Sequence, residues 1–338
     1  MVTYGDRLPL VKKVILYLET EPNVQHIVLV DNGSRPPIRR DDIVTSKDLR
    51  LVVHARNSGS AAGFRAGLAE ASSIEGVNYI LVLDDDNVCV GGGVASLIDL
   101  AGTIEPSRQV IVSALRQDRS EYARLLAMPE REQVVRNSFL GFHVRELYRK
   151  LVRRASPRAV VQHDAIRKIR MAPYGGLLLP ASLVATVGLP DPSLVLYSDD
   201  HEYTLRLSEA GTPIYLTGQV RIQDLDQSWD QKRKITNPWI DAQSDGWRIY
   251  YSSRNRVFLE RKYFVTNPLL YAFNAISYLT FLAVVSLWTD RSSSNTMMVM
   301  GQLWHGVRDG YLGRLGYRAE YTLPNGSDPS ELSGDGNR

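Results

Sequence analysis

The chain is poor in the residues that staple a protein together. A single cysteine, Cys89, stands among 338 residues, which excludes an intramolecular disulfide framework and points to a reducing compartment. Its expected place is the core, as a small hydrophobe. Net charge is scarce too: 40 Lys/Arg against 37 Asp/Glu leave +3, too little to argue for a nucleic-acid partner. With 44% hydrophobic and 23% charged residues, the composition suits one large globular domain with an appendage, or two domains. No secretory pattern leads the sequence, because Met1 runs almost directly into strand-like residues. That opening, MVTY, leaves four residues for a first strand, below the usual five or six. Either the strand is short or the natural start lies upstream.

What charge there is falls unevenly. Residues 116–170 hold 14 Lys/Arg and 6 Asp/Glu, a local +8 that leaves the remainder at −5. Within this stretch FHVRELYRKLVRR sets Val144, Leu147, Tyr148 and Leu151 on one helical face. Arg145, Arg149, Lys150, Arg153 and Arg154 fall elsewhere around the axis. Such a helix packs its stripe on the core, or lies on an anionic membrane surface, or grips an acidic substrate. Farther on, residues 264–289 carry no charge and are long enough to span a bilayer. Asn267, Pro268, Asn274, Ser277, Thr280 and Ser286 dilute that run, so spanning, in-plane or re-entrant, and buried soluble readings stay open. Trp229, Trp239 and Trp247 mark a change of pattern past residue 225, and LPNGSDPSELSGDGNR (323–338) reads as a disordered tail.

Through the first half, short apolar runs alternate with helical ones. VTY, HIVLVD (26–31), LRLVVHA (49–55), YILVLDDD (79–86) and RQVIVSAL (108–115) predict strands; residues 8–20, NSGSAAGFRAGLAEA and SLIDLA predict helices. This alternation argues for an α/β fold with a mostly parallel sheet. Ligands bind such sheets beyond the carboxyl ends of the strands, which puts Tyr4–Arg7, Asp31–Ser34, Arg56–Ser60 and Asp84–Asp86 along one rim. Adjacent carboxylates repel by about 1 kcal/mol in water and roughly 4 at a lower effective dielectric. A solvated turn absorbs that cost; a bound divalent cation reverses it. A second acidic run, YSDDHEYTLRL (197–207), places Asp199 and Asp200 at a helix N-terminus. Carboxylates are favoured there by about 0.3–1 kcal/mol each, so helix capping is the plain alternative. Just upstream, the paired glycines of PYGGLLLP (173–180) allow close backbone approach to a ligand, or simply a tight turn.

In order over roughly residues 1–225, these segments resemble the family 2 glycosyltransferases of the GT-A fold. VTYGDR (2–7) is similar to the family's opening strand and nucleotide-contacting loop, which implies Thr3 and Tyr4 as contacts. VDNGS (30–34) resembles the acidic motif whose aspartate, here Asp31, meets base or ribose. RNSGSAAGFRAGL (56–68) resembles the Asn-x-Gly segment beneath the nucleotide, which brings in Arg56, Asn57 and Gly59. LDDDN (83–87) is similar to the Asp-x-Asp metal motif. By that resemblance Asp86 ligates Mg²⁺ or Mn²⁺, and Asp84 meets the ribose, or the metal through water. Asp85 aims at the donor sugar, as in the galactofuranosyl- and rhamnosyltransferase-like branch. Hard carboxylate oxygens suit either ion, which would neutralise a departing diphosphate.

SDDHEYTLRLSEAG resembles the family's acidic base motif, which implies that Asp200 takes the proton of the acceptor hydroxyl. Asp199 would help bind acceptor or donor, its charge raising the proton affinity of Asp200. His201 matches a variable position and is read as structural; Arg206 is expected to pair with a local carboxylate. The sequence departs from the family in YLTGQVRIQDLDQSW (215–229), which lacks a metal-ligating histidine that many relatives carry. Asp224 is a candidate substitute or a solvated loop residue, with Asp226 nearby. WRIYYSSRNRVFLERKY (247–263) resembles a Tyr-Tyr…Arg-Asn helix of bacterial cell-surface-polysaccharide enzymes, in which Arg254–Asn255 would bridge domains.

The resemblance thus implies a catalytic domain at 1–225, with a nucleotide-sugar half to about 115 and an acceptor half from 116. A helical, aromatic-rich region with a membrane-associated reading follows at 226–322. The implied reaction is inverting, metal-dependent transfer of rhamnose or galactofuranose from a dTDP- or UDP-linked donor. The acceptor is a glycan or lipid-linked hydroxyl at the cytoplasmic face of the cell membrane. Two alternatives stand beside it. A nucleotidyltransferase is disfavoured because GDRLPL lacks a Gly-rich basic loop. The other is a non-catalytic nucleotide-binding, membrane-associated protein.

Overall fold

The computed structural model describes residues 1–117, 119–128, 133–152, 164–226, 245–289 and 293–324. The chain opens with β1 (Val2–Thr3), α1 (Leu8–Glu19), β2 (His26–Asp31), β3 (Asp48–Val53), α2 (Ser60–Ser72), β4 (Tyr79–Val82), β5 (Asn87–Val90), α3 (Gly93–Thr103) and β6 (Ile111–Arg116). It continues with α4 (Ser120–Ala127), α5 (Val144–Val152), β7 (Ile166–Ile169), β8 (Leu177–Pro180), α6 (Ser182–Val187), α7 (Asp199–Glu209) and β9 (Ile214–Asp224). Helices α8 (Gly246–Leu259), α9 (Pro268–Thr289) and α10 (Ser293–Leu312) close it.

The fold is α/β, as expected, with two sheets. β3, β2 and β1 form a parallel three-stranded sheet; β4, β8, β6, β9 and β5 form the second, with β7 also paired to β9. The two meet at one parallel bridge, Val2 with Asp84. The second sheet is less parallel than the sequence pattern predicts. Only β6–β9 runs parallel, while β4–β8, β6–β8, β5–β9 and β7–β9 are antiparallel. The reason is local. The acidic run is a tight turn in which the Asn87 N–H donates to the Asp84 carbonyl at 3.3 Å, so the chain passes from β4 straight into β5 without a crossover helix.

Strand alternation then divides the core between two faces. Ile27, Leu29 and Leu178 join Val11, Val14 and Ile15 of α1 and Leu97 of α3. Ile80, Val82, Leu177 and Leu179 join Phe64 and Leu68 of α2 and Tyr203 and Leu207 of α7. Cys89 lies in the first cluster, and burial pushes its thiol up to about 12.

The C-terminal helices share cores with the sheet domain. Ile249, Tyr271, Tyr278, Leu282 and Leu303 pack with Phe139 and Leu140, while Val195 packs with Tyr250, Tyr251 and Leu323. Leu323 and Pro324, read from sequence as the start of a disordered tail, are therefore placed: Leu323 is buried and the Pro324 carbonyl accepts two side-chain bonds. Leu147 and Tyr148 of α5 are exposed, so their stripe does not pack on the core. Arg153, Arg154, Trp229, Trp239 and residues 325–338 lie outside the described residues. Among the described residues one helix, in α9, is long and apolar enough to cross a membrane by length and composition.

Candidate active site

The β4–β5 turn carries three carboxylates, and two arginines meet them. Arg7, just before α1, reaches Asp85 with Nε at 2.8 Å and Asp86 with Nη2 at 2.7 Å. Thr3 at the end of β1 donates its hydroxyl to Asp85 at 2.6 Å. Arg116, at the end of β6 and itself buried, bridges Asp84 at 2.8 Å and Asp224 at 3.0 Å. Asp224 arrives through the register of β9, where it stands opposite Asn87. The Asn87 amide donates to Asp86 at 3.0 Å and to Asp224 at 2.8 Å, so one nitrogen gathers carboxylates from two strands. Asp226, the other acid of that loop, makes a 3.2 Å ion pair with Arg7. Burial first, then Asp85 and Asp84, push the Asp86 carboxyl up to about 6.

The donors suit a hard divalent cation in kind: the carboxylates of Asp86 and Asp224 meet at Asn87, and Arg116 ties Asp84 to Asp224. Their positive counterparts here are the guanidinium groups of Arg7 and Arg116. Among the described residues, no group of three or more His, Cys, Asp or Glu stands in a metal-ligating arrangement.

The second acidic cluster begins α7. Asp199 is buried, accepts the Ser60 hydroxyl at 2.9 Å, and leaves its Oδ2 without a hydrogen-bond partner. Burial, and after it the neighbouring Asp200, hold its carboxyl well above the usual carboxylate range; Asp84 contributes in the same direction. Asp200 is half-buried, and its Oδ1 accepts the His201 N–H at 2.7 Å. Arg206 pairs with Glu202 at 2.8 Å, a local carboxylate as expected.

The segment Tyr174–Gly175 connects the two clusters. The Tyr174 hydroxyl donates to the Asp199 carbonyl at 3.4 Å. A Cβ on Gly175 would fall 2.4 Å from Asn87 Oδ1, 2.5 Å from Arg116 Nη1 and 3.0 Å from Asp84 Oδ2. Only glycine lets the backbone come this close to the charged network. The Asp84 charge also bears on Asp199, so this segment links two neighbouring clusters.

The nucleotide-side candidates are gathered on the rim but differ in what they hold. Asp31 is fully buried, and its two oxygens accept the Ser34 and Ile38 N–H groups, each at 2.8 Å. Its visible work is to shape the loop after β2. Tyr4 and Asn57 both donate to the Pro324 carbonyl, at 2.6 and 3.1 Å. Gly59 has φ +84°, and a Cβ there would stand 2.0 Å from the Val195 carbonyl. It thereby seals the start of α2 against the loop that leads to Asp199. Arg56 is half-buried beside Asn57.

That loop is strained and clamped. Val195, Tyr197 and Ser198 have φ of +63°, +69° and +58°, unusual for residues with a Cβ. The Asn255 amide donates to the carbonyls of Leu194, Leu196 and Tyr197, all at 2.8 Å. Fully buried Arg254 donates to Leu194 at 2.9 Å, to Ser193 at 3.2 Å and to Gly316 at 2.5 Å. The Arg-Asn pair thus presents the acidic start of α7. Sequence reasoning passed over Arg7, Asn87 and Arg116 as site residues. The readable signal was a polar or basic residue closing a strand or turn on the same rim as the carboxylates.

Residues 1–166, just under half of the chain, match the family model described as Glycosyl transferase family 2. Among solved structures, the crystal structure of GalNAc-T7 with UDP, GalNAc and Mn2+ aligns at 13% identity and a TM-score of 0.41. That alignment covers 61% of this chain and 38% of that one. No curated protein matches the sequence.

Proposed function

We propose that the protein is an inverting glycosyltransferase that moves a sugar from a nucleoside diphosphate to an acceptor hydroxyl. The family match over residues 1–166 supports the class. The observation that carries the chemistry is the nearness of the two clusters: the Tyr174 hydroxyl donates to the Asp199 carbonyl, and Gly175 packs against Asn87, Arg116 and Asp84. In this reading Asp84, Asp86 and Asp224 hold Mg²⁺ or Mn²⁺, which supplies charge neutralisation for the departing diphosphate. Thr3, Tyr4, Asn57 and Gly59 form the nucleotide rim, with Arg56 beside them. Asp85, braced by Thr3 and Arg7, faces the donor sugar. Asp200 takes the acceptor proton as the hydroxyl oxygen bonds to the anomeric carbon and the bond to the diphosphate breaks. Asp199, desolvated beside it, opposes any further negative charge and so favours proton uptake by the pair.

The donor class we favour is dTDP-rhamnose or UDP-galactofuranose, on the strength of the triple aspartate. A lipid-linked or glycan acceptor at the cytoplasmic membrane face is supported by a surface made of two helices. Leu269, Phe273, Ile276 and Val284 lie exposed along α9. Helix α5, joined to α9 by the Val144 N–H to Asn274 Oδ1 at 3.0 Å, exposes Leu147 and Tyr148 beside Arg145 and Arg149. Apolar side chains beside cations suit an anionic lipid surface. The test is incubation of the purified protein with a panel of nucleotide sugars, with and without Mn²⁺, reading transfer, donor hydrolysis and thermal shift. A metal-dependent shift with one donor and release of its diphosphate are expected. The absence of binding and release across the panel sinks the reading.

A further inference from the structure

Strand β1 has two residues where its neighbours β2 and β4 have six and four. Val2 touches both neighbours, pairing with Val30 of β2 and with Asp84 just past β4. Behind Met1 the two strands run on with none of the described residues between them. A cavity of about 380 Å³ occupies the gap, walled by His26–Val28 on one side and Tyr79–Val82 on the other, with Phe64 and Leu68 on one face. Two strands that flank a third stand about twice 4.8 Å apart, so the gap has the width of a single strand.

The chain's amino group sits at the mouth of this gap. It donates to the Val28 carbonyl at 2.8 Å, the bond that a strand N–H would make in that register. Burial of this amino group pushes its pKa down to about 6. The amino group must give up its charge or bear the cost of desolvating it, where a neutral peptide nitrogen would make the same bond with neither penalty.

We infer that the slot between β2 and β4 seats an extended apolar segment, peptide-bonded to the nitrogen of Met1, as the upstream part of β1. Register fixes its length. Val2 pairs with Val30 and Asp84, so Met1 stands opposite Leu29 and Leu83, and four further steps back reach Gln25 and Tyr79. Four residues fill the slot. Both walls and the α2 face are largely apolar, so the segment is apolar on both sides, rich in Val and Ile, as in buried parallel strands.

Three full-length chains test this: one beginning at Met1, one preceded by Val-Ile-Val-Val and one preceded by Gly-Ser-Gly-Ser. The apolar extension is expected to raise Tm by on the order of 5 °C and to slow amide exchange at residues 26–28 and 79–82. The Gly-Ser extension is expected to do neither. Acetylation of the Met1 amino group, which needs no added residues, is expected to raise Tm and to remove the amino group's own contribution to its pH dependence between about 6 and 8. An apolar extension no better than Gly-Ser, or an acetylated chain indistinguishable from the free amine, overturns the inference. So does a Met1 chain whose exchange at 79–82 is already slow through dimerisation.

Discussion

Two sets of carboxylates are linked by the Tyr174–Gly175 segment, and they are partnered differently. Those of the β4–β5 turn are met by Arg7 and Arg116, each at or below 3.0 Å in its main contacts. Asp199 and Asp200 make no ion pair among the described residues, and one oxygen of Asp199 lacks any hydrogen-bond partner. At the turn the guanidinium groups offset part of the burial and mutual repulsion that raise Asp85 and Asp86. Asp199 has the Ser60 hydroxyl against its burial and holds its proton well above the usual carboxylate range. In the proposed reading the same residue type serves electrostatic holding in one place and proton transfer in the other.

The comparison breaks first at Asp86. If the turn holds a cation, Asp86→Ala is expected to lower turnover by about 10³-fold or more and to abolish any Mn²⁺-dependent donor shift; full activity in that variant overturns the assignment. Next comes Asp200→Asn, with turnover down about 10²–10⁴-fold and donor affinity kept, read by titration beside initial rates. A parallel loss of donor affinity would move Asp200 to the holding side of the comparison.

Asn255→Ala sharpens it from a distance. Three carbonyls lose a donor, two of them half-buried and that of Leu194 keeping its Arg254 bond, so stability is expected to fall by about 1–3 kcal/mol. Turnover should fall roughly tenfold as the strained loop relaxes away from its seat, with little change in donor affinity. Denaturant melts alongside kcat and KM measure both.

The smallest effect is a pH slope. The folded Asp199 keeps its proton to higher pH than the unfolded chain does, so its presence costs stability as pH rises from about 4 toward neutrality. Asp199→Asn removes that penalty. Its Tm advantage over the parent is expected to widen between pH 5 and 8, and a gap independent of pH would refute the desolvated-acid description.

Much of this was legible beforehand because it is periodic or punctuated. Apolar runs ending in Asp31 and in the 84–86 acids announced strands that stop at a rim, and Asp199 followed by Asp200 announced a helix start. Pairing partners were not legible. Nothing local to Asp224 says that β9 will lay it opposite Asn87, and nothing in α8 says that Asn255 will hold carbonyls some sixty residues away. The direction of the second sheet escaped for the same reason, since it depends on the tight turn at Asp84–Asn87. Asp31, expected at base or ribose, also holds two backbone amides, a use that becomes visible only when the loop's path is known.

Pro324 closes the described chain with its carbonyl bound to both Tyr4 and Asn57. Any molecule that needs those two donors has first to peel Pro324 away, so its measured affinity includes the work of displacement. A chain shortened before Leu323 presents the two donors uncovered.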